Sequence, residues 1–159
     1  MGREIERKFL VQDDSWRQFA ESETAYVQGY ISVVAERIVR VRLAGKRAFL
    51  TLKGRHDQTG RDEFEYPLPV EDARQILETM CLRPLIEKTR YIVRDGGLKW
   101  EIDEFGQENR GLVIAEVELD SVDQEVRLPA WVGDEVTHDY RYSNASLVKE
   151  PYTRWSGRD

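Results

Sequence analysis

The sequence predicts a mainly β (α+β) fold: an eight-stranded antiparallel closed β-barrel, or tunnel, with a few flanking helices. Three observations predict it. Eight runs in the 159 residues alternate apolar or aromatic side chains with polar or charged ones, the period of a β-strand. The connections between most runs are short, and a parallel return would need a crossover of a dozen or more residues. Helix-period segments are few, and closing an antiparallel sheet on itself removes its exposed edges.

The first strand spans 4–10, where Glu4, Glu6 and Lys8 share one face while Ile5 and Phe9 take the other. Asp13-Asp14-Ser15 then offers a cap for a short helix carrying Trp16 and Phe19. Strands follow at 25–34, 37–43, 47–53 and 62–68, rich in Val, Ile, Tyr, Phe and Thr, with Ala44-Gly45-Lys46 as one of the turns. Ala73, Ile76, Leu77 and Met80 recur at i, i+3, i+4 and i+7, so 71–80 forms an amphipathic helix against the sheet. Strands resume at 87–94, 98–104 and 112–119, the first two joined through Asp95-Gly96-Gly97. A last short helix at 143–148 stops before Pro151.

Length and composition predict a single domain, 1–159, without disulfides or structural metals. The net charge of −6 argues against duplex nucleic acid as the main partner, because that affinity rests on a basic footprint. Cys81 is the sole cysteine, and no apolar run approaches a membrane span. Met1-Gly2-Arg3-Glu4 lacks the apolar core of a secretory signal, so a cytoplasmic protein away from membranes is expected.

The chemistry lies in the charged faces. Like-charged pairs two residues apart recur as Glu4 and Glu6, Arg40 and Arg42, Glu63 and Glu65, Lys88 and Arg90, Glu101 and Asp103, and Glu116 and Glu118. One solvated face would explain any single strand. Across six strands it explains less, because a solvated face mixes signs and like charges opposite one another are destabilising. Basic walls suit phosphate oxygens, Arg by bidentate contact and Lys as a point charge. Paired carboxylates suit Mg²⁺ or Mn²⁺, hard ions that bridge protein carboxylates and substrate phosphates. A highly charged metal–phosphate ligand would offset both walls.

His56 and His138 lie in polar stretches and read as surface residues; Cys81 reads as a structural thiol, and Trp16, Trp131 and Trp155 as packing residues. Trp100 opens a site strand and could wedge the barrel wall. No GxxxxGK[ST] or GxGxxG motif is present, which removes support for a P-loop or Rossmann nucleotide site.

Glu4-Ile5-Glu6-Arg7-Lys8 resembles the ExExK signature of the CYTH superfamily, the triphosphate tunnel metalloenzymes. The resemblance continues through Gln28-Gly29-Tyr30, Arg40-Val41-Arg42, the run 50–54, Glu63-Phe64-Glu65, the run 87–90, Trp100-Glu101-Ile102-Asp103, Glu116-Val117-Glu118 and the run 139–144. It implies a tunnel that binds a triphosphate with one or two Mg²⁺ or Mn²⁺ ions. It implies Glu4, Glu6, Asp103, Glu116 and Glu118 as metal ligands. Lys8, Arg40, Arg42, Lys53, Lys88 and Arg90 would hold phosphate, with Arg141 standing where many relatives carry a basic residue. For catalysis it leaves open Glu63 or Glu65, orienting water, and Tyr30 beside Lys88.

The opening and the compact length look most like bacterial members that hydrolyse inorganic tripolyphosphate to diphosphate and phosphate. The alternatives are thiamine-triphosphatase or nucleoside-triphosphatase activity, a class IV adenylate cyclase, or a non-catalytic polyphosphate-binding module. A lipocalin-like carrier fits the charged lining poorly. The partner implied is a small-molecule triphosphate, and the resemblance leaves a homodimer open.

Overall fold

A computed structural model of the chain describes residues 2–155, in which ten strands form one sheet accompanied by two α-helices. Met1 and 156–159 of the expected domain lie outside the described residues. The predicted first strand is two pieces, β1 (Gly2–Glu4) and β2 (Glu6–Val11), parted at Ile5. The seven others are β3 (Ser22–Val34), β4 (Arg37–Ala44), β5 (Arg47–Lys53), β6 (Arg61–Leu68), β7 (Ile86–Asp95), β8 (Leu98–Phe105) and β9 (Val113–Glu118), all within three residues of expectation. A short β10 (Val132–Glu135) was not predicted. The helices are α1 (Val70–Thr79) and α2 (Asn144–Lys149), with a 3₁₀ turn at Ser15–Phe19 that buries Trp16.

All neighbours are antiparallel, in the order β1-β6-β5-β4-β3-β7-β8-β9-β2-β10. β1, at one edge of that order, continues covalently into β2, the last strand but one at the other. Residues 2–4 pair with β6, Glu4 opposite Arg61, while residues 6–10 pair with β9, Glu6 opposite Glu118 and Lys8 opposite Glu116. Among the described residues no ladder closes the sheet; the covalent run 2–11 passes from one edge strand to the strand beside the other edge and gives a barrel-like tunnel. Counted as one stave, that run makes up the expected eight, with β10 an addition beyond β2. At the crossing the Leu119 N–H donates to the Ile5 carbonyl at 2.8 Å. Gly60 fits there because its φ of +116° suits glycine and a Cβ would collide with the Glu4 carbonyl.

The apolar parity of each strand points outward into three cores. Phe9, Trp16, Trp100, Ile102, Val117 and Trp131 form the largest, with Trp100 meeting Phe9 and Trp131 edge-on at 5.7 and 5.4 Å between ring centroids. α1 buries Ala73 and Leu77 against Val41 and Ala48. α2 buries Leu147 and Val148 beside Tyr30, Ile38, Ile86 and Phe105. Ser143 caps α2 by accepting from the Ser146 N–H, and Trp155 packs edge-on against Tyr142 and Tyr152. With the apolar side chains spent on these layers, the polar parity is left facing inward. No helix among the described residues is long and apolar enough to cross a membrane.

Candidate active site

The inward parity encloses a cavity of about 930 Å³ lined by Glu4, Glu6, Lys8, Tyr26, Tyr30, Arg40, Arg42, Lys53, Glu63, Glu65, Lys88, Arg90, Glu101, Glu116 and Glu118, among others. Thirteen of the fifteen sequence-predicted site residues are therefore brought together. Asp103 and Arg141 are not among the lining residues.

Asp103 sits behind the wall. The β7–β8 register sets it opposite Arg90, and it is 1% exposed. It accepts from Lys88 Nζ at 2.7 Å, from Arg90 Nε at 2.7 Å and from Arg90 Nη2 at 2.8 Å, so both of its oxygens are taken. Burial would raise its pKa, but Arg90 and Lys88 outweigh that and hold it well below the usual carboxylate range. Arg141 lies outside, exposed and paired with Asp139 at 2.7 Å beside a shallower cleft formed by 135–141.

The cations fall into two kinds. Lys53 spans Glu4 at 3.2 Å and Glu63 at 3.5 Å, and Arg40 donates to Thr51 at 3.0 Å and Glu65 at 3.4 Å. Arg42 spends only Nε, on Gln28 at 2.8 Å, and Arg40 Nε is buried with no hydrogen-bond partner among the described residues. Buried donors without acceptors cost roughly 1–3 kcal/mol each, which an incoming anion would recover. Lys8 keeps its charge: burial alone would lower its pKa, but Glu6, Glu116 and Glu4 raise it.

Lys88 behaves differently from Lys8. Burial first, then Arg90 and Arg42, push it down to about 7 against the pull of Asp103. A neutral amine can still donate to Asp103 at 2.7 Å and to Asn144 Oδ1 at 3.0 Å, which leaves its lone pair free. Asn144 also accepts from Gln28 Nε2 at 3.0 Å, and that amide donates to the Tyr30 hydroxyl at 3.1 Å. Lys88 stands opposite Tyr26 rather than Tyr30, so Tyr30 and Lys88 are linked through Gln28 and Asn144.

Among these cations lies a set of carboxylates: Lys8 pairs with Glu6 at 3.6 Å and Arg90 with Glu101 at 3.3 Å. Glu116 faces Glu101 across β8–β9, and Glu6 faces Glu118 across β2–β9. The Glu116 pKa is raised by burial and by Glu6, and that of Glu118 by burial and by Glu4, Glu101 and Glu63. These are hard oxygen donors lacking enough positive charge, the donor chemistry that Mg²⁺ or Mn²⁺ takes. No three carboxylate, imidazole or thiol groups among the described residues already converge on one point.

Several cavity residues went unassigned in the sequence reading. Glu101 was visible only as the partner of Asp103 in a pair, and Arg61, Tyr26 and Asn144 carried no paired-charge signal. His56 is exposed, as expected of a surface histidine, yet it lines the cavity, where burial and Arg61 lower its pKa.

The CYTH domain family matches residues 2–152. An inorganic triphosphatase of Acetivibrio thermocellus is 47% identical over 152 residues, covering 96% of this chain and 97% of that protein. One of Nitrosomonas europaea is 37% identical over 153 residues, covering 91% and 96%. A solved structure of an inorganic triphosphatase superposes with a TM-score of 0.67 at 34% identity, covering 93% of this chain and 95% of that one. With its charged tunnel and its whole-length likeness to these proteins, the chain belongs to the CYTH domain family.

Proposed function

We propose that the chain is a metal-dependent inorganic triphosphatase that hydrolyses tripolyphosphate to diphosphate and phosphate inside the tunnel. The observation that carries this reading is one cavity whose lining brings together under-neutralised carboxylates and cations with unspent donors. The names of the two curated relatives support the same substrate.

Glu4, Glu6, Glu116 and Glu118 would hold Mg²⁺ or Mn²⁺, with Glu101 completing the set. Bound there, the ion supplies charge neutralisation and orientation of the phosphate oxygens. Lys8, Arg40, Arg42, Lys88 and Arg90 hold phosphate oxygens, and Lys53 can exchange Glu4 for phosphate. Asp103 acts through Lys88 and Arg90, fixing both, rather than as a metal ligand.

In the reaction, water attacks the terminal phosphorus, a new P–O bond forms, the bridging P–O bond breaks and diphosphate leaves. Positioning and electrostatics carry most of such a transfer. Lys88, with a free lone pair near neutral pH, takes the proton from water; a base with a pKa near the operating pH combines availability with driving force. Glu65, anchored by Thr51 at 2.9 Å, orients the water, and Glu63 assists from the same strand. A cytoplasmic location suits the single free thiol of Cys81.

Incubation with tripolyphosphate, ATP and thiamine triphosphate, with Mg²⁺, Mn²⁺ or chelator, tests the reading. Phosphate and diphosphate released from tripolyphosphate in a metal-dependent manner are expected. Cyclic AMP as the main product, or binding of a triphosphate without cleavage, would reject it.

A further inference from the structure

Tyr26 stands where three of the tunnel cations meet. On β3 it lies opposite Lys88 of β7, and two residues further along the same face Gln28 lies opposite Arg42 of β4. From its ring centroid, the Arg42 Cζ is 4.7 Å away, the Arg90 Cζ 4.9 Å and the Lys88 Nζ 5.7 Å. All three fall within the roughly 6 Å reach at which the electron-rich face of an aromatic ring attracts a cation.

Of the two arginines, Arg42 is the one short of anionic partners, while Arg90 is paired with Asp103 and with Glu101 at 3.3 Å. Arg42 and Arg90 come from the strands on either side of β3, and both turn inward. Burial first, then Arg40 and Arg90, bring the Arg42 pKa down to about 10. Arg90 is clamped along one edge by Asp103, and Arg42 is held by a single bond to Gln28. Both guanidiniums lie within 5 Å of the centroid of the same ring. The contacts Tyr26 makes with these cations are made through its ring.

We propose that Tyr26 is a positioning residue for triphosphate binding, its ring fixing the Arg42 and Arg90 guanidiniums and offsetting their mutual repulsion before the anion arrives. The proposal rests on the triphosphatase reading above. It deepens that reading by giving the phosphate wall a preorganised spacing, so that less ordering is left for the substrate to impose.

The test uses the full chain with tripolyphosphate in chelator, read by calorimetry, beside steady-state kinetics with metal. Tyr26→Phe is expected to bind within twofold of the parent. Phenylalanine analogues bearing one to five ring fluorines at position 26 keep the shape while draining the π face. They should weaken binding stepwise, to about tenfold for the fully fluorinated ring, raising KM by more than they lower kcat. Tyr26→Leu should weaken it by at least as much; if that variant fails to fold, the fluorine series decides. A flat fluorine series, or a tenfold loss in Tyr26→Phe, would overturn the proposal, the latter by assigning the role to the hydroxyl. If the parent neither binds nor cleaves tripolyphosphate, the functional reading falls separately. The ligand-free protein then decides this one: the Arg42 and Arg90 Nε–H resonances should be ring-current shifted and should lose that shift in Tyr26→Leu. Unshifted parent resonances would overturn it.

Discussion

Replacing Asp103 with Asn separates two roles for a buried carboxylate. As a metal ligand it would matter only when metal is bound. As the anion fixing Lys88 and Arg90 through contacts of 2.7, 2.7 and 2.8 Å, it matters to the empty protein. Removing one partner of a buried ion pair costs about 3–5 kcal/mol, because the other charge is left uncompensated. Two features favour the lower end: Lys88 can shed its proton, and Arg90 retains Glu101 at 3.3 Å. An unfolding entropy of about 2 cal/mol/K per residue makes 3 kcal/mol about 9 °C of melting temperature in a chain of this length. Asp103→Asn in chelator should therefore melt about 9 °C lower by calorimetry, while the metal concentration for half-maximal turnover changes less than threefold. A melting temperature within 2 °C of the parent, together with a tenfold rise in the metal requirement, would refute the reasoning and restore Asp103 as a ligand.

Glu4→Gln and Glu118→Gln should each lower turnover at least tenfold, about 1.4 kcal/mol of barrier, and parental rates in both would sink the metal-site assignment. The folded pKa values of Glu116 and Glu118 lie above the ordinary 4.5, so between 4.5 and those values the native state binds more protons than the unfolded one. Metal-free stability should thus fall as pH rises through that window in thermal melts, and Glu118→Gln should flatten the fall. The acid limb of kcat should run near pH 7 as Lys88 loses its proton, and an unchanged limb in Lys88→Arg would count against its role as base. In Gly29→Ala the new Cβ would lie 2.7 Å from Cys81 Sγ and 2.9 Å from Leu85 Cδ2, an overpacking expected to cost about 1–3 kcal/mol in urea unfolding. Arg141→Ala should stay within twofold of the parent in turnover, its guanidinium being exposed and outside the tunnel.

The strands were legible because period-two alternation records which face is buried, and the cavity lining followed because every second residue had to share it. What escaped was set by pairing between distant segments. The break at Ile5 arises because one strand serves two partners, β6 and β9, and no local pattern encodes that. β10 is four residues interrupted by Gly133, and it follows β2 through an irregular register rather than a pattern of its own. The position of Asp103 could have been found. Gly96 and Gly97, at φ of +58° and +80°, make the two-residue turn that sets Asp95 opposite Leu98, and counting back along the hairpin brings Arg90 opposite Asp103. Parity told which face Asp103 shares, and the turn told what it meets there.

Glu4 and Glu6 flank the break at Ile5, one on the piece held by β6 and the other on the piece held by β9. A ligand that engages both carboxylates ties the edge piece held by β6 to the piece held by β9, where no ladder among the described residues joins them. Occupancy and closure are then a single equilibrium. Amide protons of residues 2–11 should exchange more slowly once the tunnel is filled, and the empty tunnel should open there first.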